Sequence, residues 1–132
     1  MCLYQVYKNK DYPEYFQNPS KIQIGYKIFR ISENNKLTSL FKKEIQIKKR
    51  RWLKAKQRTI NNINNNQSYK SGFHIYLNKK DPKKWIEYLD QVGDHVKIAK
   101  VKFKNPIHIG KDKFADEAMT IVAKNILITE IL

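Results

Sequence analysis

The chain has 132 residues, with 27 Lys and Arg against 12 Asp and Glu, a net charge of +15. That length is one domain, long enough to bury a core without metal or disulfide support, and the 41% hydrophobic and 12% aromatic content excludes a disordered tail. The single cysteine, Cys2, excludes an internal disulfide and suits a reducing interior. No basic region followed by an apolar stretch opens the chain, and its purely apolar runs span only a few residues. Neither a signal peptide nor a membrane span is therefore expected, and a cytoplasmic location is.

In chain order, residues 1–7 alternate loosely and predict a first strand through Leu3, Val6 and Tyr7. Asp11 to Phe16 is aromatic and interrupted by Pro13, which predicts a loop or one short turn. Ile22 to Ile31 alternates as a strand, with Ile22, Ile24, Tyr26 and Ile28 on one face and Gln23, Lys27 and Phe29 on the other. Gly25 within it marks a bulge or a close backbone approach. Ser32 to Lys36 reads as a turn and Leu37 to Phe41 as a returning strand. Lys42 to Lys56 is ambiguous: Ile45 and Ile47 alternate, whereas Trp52 to Lys56 suits a helix. The Asn-rich segment 61–67 reads as a loop.

Phe73, Ile75 and Leu77 alternate and predict a strand. Asp81-Pro82 predicts a helix start, with Asp81 as N-cap and Pro82 at the first helical position. Trp85, Ile86, Leu89 and Val92 then form one apolar stripe, ended by Gly93. Val96, Ile98, Val101 and Phe103 predict the next strand, with a phase slip at Ala99-Lys100 that suggests a bulge. Asn105-Pro106 reads as a turn into a short strand, Ile107 to Ile109, and residues 119–131 as one or two final strands. The sum predicts a single α+β domain over residues 1–132, mostly antiparallel sheet with one clear helix at about 82–92 packed on it. Phe73, Ile75, Trp85, Leu89, Val101, Ile121 and Ile126 are the expected core.

The functional signal is the basic segment 42–58. Lys42, Lys43, Lys48, Lys49, Arg50, Arg51, Lys54, Lys56 and Arg58 stand there against one acid, Glu44. Such density costs self-repulsion unless water, salt or a polyanion offsets it, and nucleic acid is the commonest anion dense enough to match. As a helix, the segment would set Lys48, Arg51 and Arg58 near one face beside Trp52. Trp52 and Tyr69 would stack unpaired bases. The plain alternative is a solvated basic surface. No helix-turn-helix, zinc-finger or RNP signature is present, so binding would proceed through backbone and shape.

Other constellations are sparse. His74, His95 and His108 are far apart and not at metal-ligand spacing, so no metal is expected. No Gly-rich phosphate loop and no Gly-x-Ser-x-Gly element is present, so no cofactor is expected. His74 reads as a surface or hydrogen-bonded strand histidine on the face opposite Phe73 and Ile75. Cys2 would be a nucleophile only if it became N-terminal, and reads otherwise as incidental. Asp112, Asp116 and Glu117 read as an exposed acidic loop, and Glu130 as a solvent-facing strand position.

Several landmarks fall in a recognisable order: Gly25-Tyr26-Lys27-Ile28-Phe29, then Trp52-Leu53-Lys54-Ala55, then Tyr69-Lys70-Ser71-Gly72-Phe73-His74 before a helix. A Val/Lys strand (Val96 to Phe103) follows, and Ile121-Val122-Ala123-Lys124-x-Ile126-x-Ile128 closes the series. The pattern covers most of the chain and resembles a group of small, uncharacterised phage and prophage proteins. That resemblance implies a viral accessory protein, non-enzymatic, that binds nucleic acid (RNA or DNA) or a nucleic-acid-bound partner such as a host defence nuclease, and so acts as an anti-defence inhibitor in the host cytoplasm. It brings no catalytic residues. Gly72-Phe73-His74-Ile75-Tyr76 before a helix, with the late Ile121-Val122 strand, is also similar to part of the ADP-ribosyltransferase fold. That likeness implies a small transferase, but the acid it needs before the late strand has only Glu117, out of register, to fill it. A structural component of a nucleoprotein assembly is the third expectation.

Overall fold

The computed structural model describes residues 3–31, 37–39, 46–47, 50–55, 59–62, 67–93, 95–112 and 118–132. Ten strands and two α-helices follow in order. They are β1 (Leu3–Val6), a 3-10 turn (Asn9–Asp11), α1 (Pro13–Phe16), β2 (Gln23–Ile31), β3 (Leu37–Ser39), β4 (Gln46–Ile47) and β5 (Leu53–Lys54). The remainder are β6 (Thr59–Asn62), β7 (Gln67–Lys70), β8 (Phe73–Tyr76), α2 (Lys83–Gln91), β9 (Val96–Asp112) and β10 (Ala118–Ile131). Every pairing is antiparallel and α2 is the one substantial helix, so the fold is the expected α+β.

The long β9–β10 hairpin is the frame. Its register runs from Ala118↔Asp112 to Ile131↔Ala99, with irregularities between Val122 and Ala123 and between Ile128 and Glu130. The first lies beside Asn105, at φ 55, and Pro106. Proline has no N–H to give the ladder, which is why the strand is irregular there. At the second, Thr129 is the extra residue, and its hydroxyl donates to the Lys100 carbonyl at 3.0 Å. β2 runs along β9 from Gln23↔Phe103 to Arg30↔Val96 and meets β8 at Tyr26↔Tyr76. β8 in turn pairs with β10 from Phe73↔Ala123 to Tyr76↔Thr120. The circuit β2–β9–β10–β8–β2 therefore closes on itself, which leaves these central strands no free edge between them.

The main core draws on all four of those strands, with Phe29, Ile75, Val101, Phe103, Ile109, Ile121, Ile126 and Ile128 buried together. A second cluster, of Ile28, Tyr76, Leu89, Val96 and Ala118, lies under α2, where Tyr26, Trp85 and Ile86 complete it. Ile75, Leu89, Val101, Ile121 and Ile126 are buried as expected, while Phe73 and Trp85 are half-buried.

Several expectations are corrected. On β2 the buried positions are Gly25 and Lys27 to Phe29, while Ile22 and Ile24 are 53% and 52% exposed. The helix begins at Lys83 with Pro82 as its N-cap, and Asp81 supplies no side-chain cap. The Pro82 carbonyl already accepts from the Ile86 N–H at 3.0 Å, so the ring precedes the first helical residue. Gly93 ends the helix at φ 85, and Val92 is 56% exposed rather than part of the buried stripe. Asn61, Asn62 and Gln67 are not loop: they stand in a β6–β7 hairpin, with Asn61↔Ser68 and Asn62↔Gln67 paired. Asn105-Pro106 interrupts no strand, because β9 is continuous over 17 residues. The turn expected at Ser32 to Lys36 lies outside the described residues.

Candidate functional site

Of the basic segment, Arg50, Arg51, Trp52 and Lys54 are described, and Arg50, Arg51 and Lys54 are exposed. Lys42, Lys43, Lys48, Lys49, Lys56 and Arg58 lie outside the described residues, as do Cys2, Asp116 and Glu117. Tyr69 lies in β7, opposite Ile60. Of the two readings left open for this segment, strand prevails here over helix, since Leu53 and Lys54 form β5 against β10, with Leu53↔Ile126 and Lys54↔Asn125. Hydrogen bonds on either side hold this stretch down. The Arg50 N–H donates to the Ile128 carbonyl at 3.1 Å and the Ala55 N–H to the Lys124 carbonyl at 2.8 Å.

This anchoring decides which side chains face out. Leu53 packs on the main core, so strand alternation sends Trp52 and Lys54 to the opposite face. The same face carries two cross-strand rows. In one, Lys54, Asn125 and Lys104 stand opposite one another on β5, β10 and β9. In the other, Leu127, Lys102 and Ile24 do so on β10, β9 and β2. The Lys104 ammonium sits 4.3 Å from the centre of the half-buried Trp52 ring, a cation over an aromatic face. The Asn105 amide N–H donates to Asn125 Oδ1 at 2.8 Å and steadies the row. Farther along β2 and β9, α2 covers this face at Ile28 and Val96. The end bearing Lys54, Lys102 and Ile24 is exposed. Lys102, Lys104 and Asn125 were missed as site candidates, because only the strand register brings them to Trp52.

A second polar group is buried. The Lys27 ammonium donates to the His74 carbonyl at 3.1 Å, and the Tyr76 hydroxyl donates to Asp112 Oδ2 at 2.9 Å. Burial pushes the Lys27 pKa down to about 8, against the upward pull of Asp112. Burial, then the Lys27 charge, pushes His74 down to about 3, so its ring is neutral. Burial and Asp112 together raise Tyr76 well above its ordinary value. Of the two readings of His74, the hydrogen-bonded strand histidine holds and the surface one does not, since it lies in β8, bonds the Gly72 backbone and is 6% exposed. The exposed position expected for Asp112 is corrected, as it is 0% exposed. Asp112 escapes the loop because β9 extends to include it, opposite Leu3 and Ala118. Closed to solvent, this group ties strands together. His108 also serves the frame: its Nε2 accepts from the Lys70 N–H at 3.1 Å and ties β7 to β9. Glu130 is exposed, as expected.

Among the described residues, no three His, Cys, Asp or Glu side chains gather as a metal site, and no helix is long and apolar enough to cross a membrane. In comparison with known proteins, no family model matches the chain, and neither a curated protein nor a solved structure does.

Proposed function

We propose that the protein binds nucleic acid non-covalently, by charge and shape, through the basic segment and the sheet face to which it is joined. The observation that carries this reading is the convergence of Lys54 from β5 with Lys102 and Lys104 from β9, beside the exposed Arg50 and Arg51, on a face that α2 leaves uncovered. Among the described residues of the two cross-strand rows there is no acid to neutralise them. A polyanion releases its counterions on meeting such a surface, which favours binding. A phage-type accessory protein that competes for nucleic acid held by a host defence nuclease is the cellular role the sequence resemblance implies. The transferase alternative gains no support, because its nucleotide would have to reach His74, which is buried. Titration of labelled RNA and duplex DNA at several salt concentrations tests the proposal. Affinity that falls steeply with salt is expected, and no salt-dependent binding to either polymer would refute it.

A further inference from the structure

Duplex and unpaired strands make different demands on a surface. A duplex offers phosphates outward and keeps its bases stacked inside, so lysines alone suffice for it. An unpaired strand also exposes flat apolar bases, which need an aromatic or aliphatic platform between the cations. The uncovered sheet face has that mixture. Trp52 and Leu127 are half-buried and Ile24 is exposed, and Lys54, Lys102 and Lys104 stand among them. The platform is also firmly placed, since Leu53 is rooted in the core and the flanking backbone is hydrogen-bonded to β10. A platform that does not move loses little entropy on binding.

Trp52 already has an occupant on one ring face, the Lys104 ammonium at 4.3 Å. A tryptophan face that attracts a cation also accepts a nucleobase. Resting on the reading above, we infer that this face is a binding site for an unpaired polynucleotide strand. A base replaces the Lys104 ammonium on the Trp52 ring, and the released ammonium turns to the adjoining phosphate. Lys54, in the same cross-strand row as Lys104, and Lys102, in the next row, take the phosphates before and after it. In the free protein Lys104 shields the indole from water. In the complex the same cation neutralises the strand, so no charge is left unpaired by the exchange.

The test is fluorescence anisotropy with labelled oligouridylate, labelled oligothymidylate and a labelled RNA duplex of the same length. Wild type should bind at least one single strand more tightly than the duplex. Trp52→Ala should weaken the single-strand complex by roughly five- to a hundredfold, the range for loss of one stacked base. Duplex binding, made through phosphates, should stay as it is. Trp52→Phe keeps a stacking ring and should retain most of the single-strand affinity, and thermal melts of both variants separate lost stacking from lost folding. Lys104→Gln should lower the salt slope while the Trp52 emission still responds to the strand. Equal affinity for single strand and duplex, both indifferent to a folded Trp52→Ala variant, would overturn the stacking site and leave nucleic-acid binding standing. Failure to bind any of the three polymers would overturn both.

Discussion

Tyr76 reaches across a strand to Asp112. Tyr76 lies on β8 and Asp112 on β9, with β10 between them, where Tyr76 stands opposite Thr120 and Asp112 opposite Ala118. The hydroxyl nevertheless meets Asp112 Oδ2 at 2.9 Å, and both residues are wholly buried. The small Ala118 side chain, packed against the tyrosine, leaves room for the ring to pass. A hydrogen bond to a buried carboxylate is worth more than one between neutral groups, because the charge has little water to fall back on. Tyr76→Phe should therefore destabilise by about 1.5–3 kcal/mol. Asp112→Asn, which keeps an acceptor and removes the charge, should cost less than Asp112→Ala. Urea unfolding of the three variants checks the order, and a neutral Tyr76→Phe would sink the argument.

The buried group also sets how stability depends on pH. For His74, pushed down to about 3, the unfolded chain holds a proton between that pH and its ordinary 6.5 that the folded chain does not. Stability should thus fall as pH drops through that window. For Lys27, pushed down to about 8 from 10.5, the same imbalance makes stability rise as pH climbs above 8. Tyr76 opposes this above pH 10, where the unfolded chain loses a phenolic proton that the folded chain keeps. Urea midpoints from pH 8 to 9.5 should rise for wild type and stay flatter for Lys27→Met. Between pH 4 and 6, His74→Gln should show a shallower acid loss than wild type. Parallel curves for variant and wild type would refute the assignment.

What could be read from the residues depended on range. The helix, its glycine stop and the strand at Phe73 to Tyr76 are local signals and appear where expected, although β8 is buried on both faces instead of alternating. Burial on β2 departs from the alternation for a long-range reason. Ile28 and Phe29 are both buried, and the circuit through β8 and β9 turns the Lys27 side inward and seats the lysine against a carbonyl. The Asn-rich stretch reads as a loop because Asn favours turns, yet its ends, Asn61, Asn62 and Gln67, pair in β6 and β7, while residues 63–66 lie outside the described residues. The basic segment announces charge but not placement. Trp52 meets Lys104 only because β5 lies beside β10 and β10 beside β9, a juxtaposition over many residues that no periodicity reports.

Gly25, Gly72 and Gly110 all mark close approaches, and Gly25 and Gly110 make a sharp test of the closed sheet. A Cβ on Gly25 would run into Ile75 Cγ2 and lie 3.1 Å from the Tyr76 carbonyl oxygen, at the single bridge between β2 and β8. A Cβ on Gly110 would meet the Gln5 backbone oxygen, where β1 crosses β9. Side-chain ends can swing aside and backbone cannot, so Gly110→Ala should be the more damaging. Overpacking of this kind typically costs about 1–3 kcal/mol. Thermal melts should place Gly110→Ala lowest, Gly25→Ala between it and wild type, and Gly93→Ala affected by its positive φ alone. Gly25→Ala as stable as wild type would remove the close β2–β8 approach.

Leu89 anchors α2 over Ile28, Val96 and Ala118, and it is nearly fully buried. Leu89→Ala should cost about 2–5 kcal/mol by leaving a cavity under the helix. Trp85, half-buried and stacked on Tyr88 with ring centres 5.4 Å apart, keeps part of its surface in water. Its truncation to Ala should fall toward the lower end of the same range or below it. Chemical denaturation of the two variants decides whether the helix is held chiefly by Leu89, and equal losses would place the anchor elsewhere.

The exposed cations divide from the core in what they should affect. Arg50, Arg51 and Lys54 are exposed, so their replacement by Ala should leave the melting temperature almost unchanged. Arg50 follows the same rule although it sits at φ 59, because the strain there is alike for Arg and for Ala. Each cation that pairs with a phosphate should, once removed, flatten the log–log dependence of affinity on salt by roughly 0.7 for single strands and 0.9 for duplex. The triple variant should therefore bind more weakly and give up as much as about two units of salt slope on a single strand, with no change in which sequences it prefers. Preference stays because pairing with phosphates carries no base information. Titrations of wild type and the triple variant at four salt concentrations, on sequences of different composition, measure both quantities. An unchanged slope with unchanged affinity would mean that these three side chains are solvated surface, and that binding, if present, lies elsewhere on the chain.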